Sequence, residues 1–120
     1  MRTQPNKTAL IKSATHYPSA ATNAVVTLAA AAQNIYAIRS IHCSYSAVPT
    51  GGRLTVVAGS TTLLDVDITA AGPAVFLFDA DCPLYQNVIG STYENTGEAV
   101  VVTLYSGAGT VVGKLNVRYQ

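Results

Sequence analysis

From Ile35 to Phe78 the chain is a succession of short β-branched and aliphatic runs separated by turn residues. Val, Ile, Leu, Thr and Tyr fill the runs, while Pro49-Thr-Gly-Gly52, Gly59-Ser60 and Ala71-Gly-Pro73 fill the gaps. Runs of this length, with this punctuation, predict strands. Within Thr62–Thr69, Leu64, Val66 and Ile68 fall on one face and Leu63, Asp65 and Asp67 on the other. The alternation is cleanest in Val111–Gln120, where Val111, Gly113, Leu115, Val117 and Tyr119 oppose Val112, Lys114, Asn116, Arg118 and Gln120. In Ile35–Ser46 the phase slips. Tyr36 and Ile38 share one parity, whereas Ile41, Cys43 and Tyr45 share the other. An extra residue near Arg39-Ser40 returns both sets to one face, which predicts a β-bulge there.

The same reading extended over the whole chain gives eight strands: Ala9–Thr15, Ala24–Ala29, Ile35–Ser46, Arg53–Ala58, Thr62–Thr69, Ala74–Phe78, Glu98–Ser106 and Val111–Gln120. Gly59-Ser60 is expected to join the fourth and fifth. Gly107-Ala-Gly109 is expected to close the last two as a hairpin. Ser19–Asn34 is alanine-rich and favours helix by propensity. Val25, Val26 and Thr27 are β-branched, however, and no apolar stripe is defined, so its first half is read as strand and Ala30–Asn34 as loop. Asp79–Gly97 is expected to be a long irregular stretch. Residues 1–8 are polar, lack periodicity and read as an extended N-terminal arm, leaving 9–120 as one domain. The fold class is all-β: an eight-stranded antiparallel β-sandwich, most economically a jelly roll.

Composition changes the picture in one respect. Hydrophobic residues make up 49% of the 120, but charged residues only 11%, about half the share usual in a soluble domain. A surface so poor in charge suits a chain that works inside an assembly. The net charge of +1, with seven basic residues scattered from Arg2 to Arg118, gives no expectation of nucleic-acid binding. No apolar stretch reaches the roughly 18 residues of a membrane helix, and MRTQPNKTALIK lacks the apolar core of a signal peptide. Assembly in a cytoplasm is expected. Cys43 and Cys82 fit reduced thiols there, with a disulfide as the alternative where their Cα atoms lie within about 7 Å.

Candidate chemistry is sparse. Asp65 and Asp67 share a face, which suits a cation or sugar hydroxyls as well as a solvated surface, but no further ligand follows at calcium-loop spacing. Asp79 and Asp81 likewise suit a metal, but read first as turn caps ahead of Pro83. His42 adjoins Cys43, yet neighbouring strand residues point to opposite faces, so the pair forms no nucleophile and base. Gly51-Gly52 and Gly107-Ala-Gly109 read as turn glycines, since no phosphate-binding motif follows. No enzyme activity, cofactor or metal is expected. The seven tyrosines, Tyr17 among them, are the recognition candidates, with Tyr85 and Tyr93 in the long loop foremost.

At Ile38-Arg-Ser-Ile41, Ser44-Tyr-Ser-Ala47, Pro49–Val56, Asp65–Pro73, Val101–Leu104 and Gly113–Val117 the chain resembles small virion proteins of tailed bacteriophages. The resemblance runs from about Val25 to the C-terminus and lies in strand-and-turn texture. It implies a capsid decoration, or cement, protein of jelly-roll type: a homo-oligomer, dimer or trimer, bound to the major capsid protein on the outside of the virion. It carries over no functional residues. The arm is expected to lie along the shell with Arg2 and Lys7 against acidic residues. The competing expectation is a carbohydrate-binding or adhesion module of a head or tail fibre, working through Tyr85 and Tyr93 with Asp79 as a further contact.

Overall fold

The computed structural model describes residues 11–30, 36–78, 84–85 and 99–120. The arm, with Arg2 and Lys7, lies outside the described residues. So do Asp79, Asp81, Cys82 and Tyr93, and of Leu84 and Tyr85 only the backbone is described.

Nine strands occupy the described residues: β1 Lys12–His16, β2 Ala24–Leu28, β3 Ala37–Tyr45, β4 Arg53–Ala58, β5 Thr61–Asp67, β6 Gly72–Leu77, β7 Leu84–Tyr85, β8 Val100–Leu104 and β9 Gly113–Tyr119. Eight match the strands expected from the sequence. The ninth, two-residue β7, lies within the stretch expected to be irregular and pairs with Ala37 and Ile38.

The pairing is nested. β1 pairs with β9, β2 with β8, β3 with β6 and β4 with β5, all antiparallel. Those four pairs describe one long two-stranded ribbon whose tip is the Gly59-Ser60 turn. The ribbon then rolls up so that β9 pairs with β3 and β8 with β4. Two sheets result, in the orders β1-β9-β3-β6 and β2-β8-β4-β5. This is the jelly-roll order, reached by non-local pairing that leaves few free edges.

One connection differs from the expectation. β8 and β9 do not form a hairpin, because β8 belongs to one sheet and β9 to the other. Gly107-Ala-Gly109 turns the chain across the sandwich instead. A glycine-rich turn permits either path, and the choice falls to burial: β8 pairs with β2 and β4, and β9 with β1 and β3.

Alternating residues of both sheets meet in one core. Ile38, Ile41, Tyr45, Leu115 and Val117 come from the first sheet, and Leu54, Val56, Val100, Val102 and Leu104 from the second. Each such side chain contributes about 1.5–3 kcal/mol on burial. The register between β3 and β9 shifts between Ile38 and Ser40, which is the bulge the phase slip predicts. It brings Ile38, Ile41, Cys43 and Tyr45 to the core together, all 5% exposed or less.

Tyr45 ties the two sheets at one end. Its hydroxyl donates to the Tyr105 carbonyl at 2.5 Å and accepts the Arg53 N–H at 3.3 Å. Its cross-strand neighbours are Gly72 and Gly113, so its ring has room at the sheet surface.

Candidate functional site

The outward-facing residues of the β1-β9-β3-β6 sheet form the most distinctive surface of the described chain. Its strands contain Lys12, Arg39, Lys114 and Arg118 but no Asp or Glu. Four of the seven basic residues thus lie in one sheet with no acidic side chain in its strands. The described acids, Asp65 and Asp67, lie on β5 at the far edge of the other sheet.

Register sets out the face in rows. Ser13, Arg118, Ser40 and Leu77 are successive partners across β1, β9, β3 and β6. Thr15, Asn116, His42 and Val75 form the next row, and Lys114, Ser44 and Pro73 continue it. Each row runs from polar residues toward an apolar edge. On β6 the exposed positions are Pro73, Val75 and Leu77, with Leu77 75% exposed. The strand carries no charge, whereas β5, the corresponding edge of the second sheet, carries Asp65 and Asp67. Charges on an edge strand discourage pairing with other chains. The β6 edge has only Pro73 in that role.

Two grooves cross this face. One, of about 480 Å³, is lined by Ile11, Lys12, Ser13, Arg39, Ser40, Leu77 and Arg118. The other, of about 260 Å³, includes Tyr17, His42, Ser44, Pro73, Lys114 and Asn116 among its lining residues. Both have an exposed apolar residue beside β1 and another on β6, with cationic groups between. The bulge helps to build the larger groove. By inserting Arg39 it keeps Ser40 on the outer face, paired with Arg118. Arg39 Nε donates to Gln120 Oε1 at 2.6 Å.

The remaining candidates have structural partners. Arg53 holds Asp65 through two bonds, Nε–Oδ1 at 2.7 Å and Nη2–Oδ2 at 2.6 Å, and lies 5.3 Å from the Tyr105 ring centroid. The guanidinium lowers the Asp65 pKa, by hydrogen bonding first. A depressed carboxylate stabilises the fold above its ordinary pKa and loses that contribution as pH falls through its folded value. Both groups are exposed, so the effect is small. Asp65 is therefore engaged by Arg53 of the neighbouring strand. Among the described residues no group of three His, Cys, Asp or Glu is placed to hold a metal ion.

His16 Nδ1 accepts the Val25 N–H at 2.9 Å, joining β1 to β2. His42 lies on the outer face, while Cys43 is buried and turned to the core. The opposition expected of adjacent strand residues holds. Burial pushes the Cys43 thiol up to about 11, which suppresses the nucleophilic thiolate at neutral pH. Of the described tyrosines, Tyr45 is core, and Tyr36 and Tyr119 pack edge to face at 5.8 Å. Tyr17, 59% exposed, is the one that lines a groove on the basic sheet. Tyr17 is one of the seven tyrosines the sequence offers for recognition, but Tyr85 and Tyr93 stand foremost there and the basic residues are scattered along the chain. Only the pairing of distant strands brings them together.

No family model matches the chain, and no curated protein matches it. Among solved structures it is similar to a chain in the cryo-EM structure of the giant freshwater prawn Macrobrachium rosenbergii extra small virus (XSV) VLP. Sequence identity is 12%, the TM-score 0.35, and the match covers 96% of this chain and 82% of that one. At that score the likeness decides neither fold nor function.

Proposed function

We propose that the protein is a structural virion protein that binds the outer surface of a capsid shell as a homo-oligomer and bridges neighbouring capsomers. Jelly rolls serve many functions, so the fold alone does not carry the reading. The observation that carries it is the sheet face just described: acid-free strands, the outward cations Lys114 and Arg118, and an uncharged apolar edge. A face of that kind is complementary to an acidic protein surface and combines charge with apolar area, as protein interfaces do. The low charge of the whole chain is a second support. Arg2 and Lys7 lead in sequence into β1, a strand of this sheet, and carry the same sign of charge. The protein acts by binding, without catalysis or a cofactor.

The test is reconstitution. Purified protein is mixed with undecorated shells of the virus that encodes it, and the shells are sedimented. Saturable co-sedimentation at a fixed number of copies per shell, with delayed thermal disassembly, is expected. Shells that sediment without the protein at every concentration would contradict the proposal.

A further inference from the structure

We propose that the groove formed by Ser13, Ser40, Leu77 and Arg118 receives a carboxylate side chain from an acidic, apolar-flanked segment of the shell protein. The inference rests on the virion reading above and gives its contact a chemistry.

Three observations converge on the groove. The first is Ser40. It is only 7% exposed, it lines the groove, and its hydroxyl has no hydrogen-bond partner among the described residues. A buried hydroxyl left unpaired costs about 1–3 kcal/mol, which an arriving acceptor relieves. The second is Arg118, the cross-strand partner of Ser40 on β9. A guanidinium beside a hydroxyl donor suits a carboxylate, which is acceptor-only and takes several donors at once. The Ser13 hydroxyl on the far side of Arg118 already donates to Asn116 Oδ1 at 2.9 Å, so Ser40 and Arg118 are the donors aimed at the ligand. The third is the pair of apolar walls. Leu77 is 75% exposed and Ile11 58%, one at each end of the groove. They offer apolar area to the residues flanking the carboxylate.

The chain itself supplies no competing acid among the described residues. Asp65 is held by Arg53, and Asp67 shares its strand on the other sheet. Lys12 lines the same groove and adds positive potential, which speeds encounter with an acidic surface. A nucleic acid is the weaker match. A phosphate backbone calls for a continuous track of cations, whereas here Arg118 and Lys114 are separated by Asn116 and bordered by Ser40, His42 and Ser44, and the chain carries only +1 overall.

The test compares the parent protein with Arg118→Glu, Arg118→Lys and Ser40→Ala in binding to undecorated shells, over a range of salt concentrations. Arg118 is exposed, and an unchanged unfolding midpoint checks that each variant folds. Arg118→Glu is expected to weaken binding about tenfold or more, Ser40→Ala about threefold to tenfold, and Arg118→Lys to retain an intermediate affinity. Salt should weaken the parent more than Arg118→Glu. Poly-L-glutamate should displace the parent from shells. If the parent protein does not bind shells, the virion reading fails. If the parent binds and Arg118→Glu binds equally well, the groove assignment alone is overturned. Displacement by single-stranded DNA at lower concentration than by poly-L-glutamate overturns it too, in favour of a phosphate ligand.

Discussion

Replacing Tyr45 by alanine is expected to remove about 3–5 kcal/mol of stability, a large part of what a domain of this size possesses. The side chain is 2% exposed and is the largest fully buried group in the core. Truncation leaves a cavity between the sheets and deletes the hydroxyl that joins β3 to Arg53 and Tyr105 of the other sheet. The two contributions separate by chemistry. Tyr45→Phe keeps the ring and leaves the Tyr105 carbonyl and the Arg53 N–H without their partner, so about 1–3 kcal/mol is expected for it alone. Urea unfolding of the three proteins measures both. Equal loss in Phe and Ala variants would assign the whole effect to the hydroxyl, and a neutral Tyr45→Phe would remove the inter-sheet tie from the account.

Gly52→Ala is the second large effect, and its cause is backbone contact. A Cβ at this position would lie 2.3 Å from the Ile68 carbonyl oxygen and 2.7 Å from Pro49 Cγ. Neither neighbour moves freely. The Ile68 N–H donates to the Gly52 carbonyl at 3.0 Å, and Pro49 is ring-locked. A destabilisation of about 1–3 kcal/mol is expected. Gly51 next to it has φ of +73° and open space around its Cβ position, so Gly51→Ala meets only the left-handed backbone cost of about 1–2 kcal/mol. Removing the Pro49 contact by Pro49→Ala should recover part of the Gly52→Ala loss and none of the Gly51→Ala loss. Equal recovery in both, by denaturant midpoint, would contradict the steric explanation.

Much of this architecture is legible in the sequence. Alternation and turn chemistry located eight strands, because a half-buried strand leaves a period-two record in its own residues. The bulge was legible for the same reason: Ile38 and Ile41 cannot both be buried in a regular strand, and the chain inserts Arg39 between Ile38 and Ser40 to reconcile them. Alanine content did not mislead at Ala24–Leu28, where β-branched Val25, Val26 and Thr27 outweighed helix propensity. The path after β8 was not legible. Gly107-Ala-Gly109 signals a change of direction but does not say whether the next strand returns to the same sheet. The basic face was hidden more deeply. Lys12 and Arg118 stand at opposite ends of the sequence, and only the β1-β9-β3 order makes them neighbours on one sheet. The sequence drew attention instead to Tyr85 and Tyr93, whose side chains lie outside the described residues, and to Asp65, which Arg53 engages.

On the proposed function, the outer face of the β1-β9-β3-β6 sheet is the one covered by the shell. Cysteine labelling tests it most directly. Val75→Cys places a thiol on that face and Val25→Cys one on the outer face of the opposite sheet; both valines are exposed in the free chain, at 50% and 37%. Maleimide reactivity is measured for each variant free and bound to shells, against the parent protein as background. Binding is expected to protect Val75→Cys and to leave Val25→Cys reactive. Labelling of bound Val75→Cys at the rate of the free protein would contradict it.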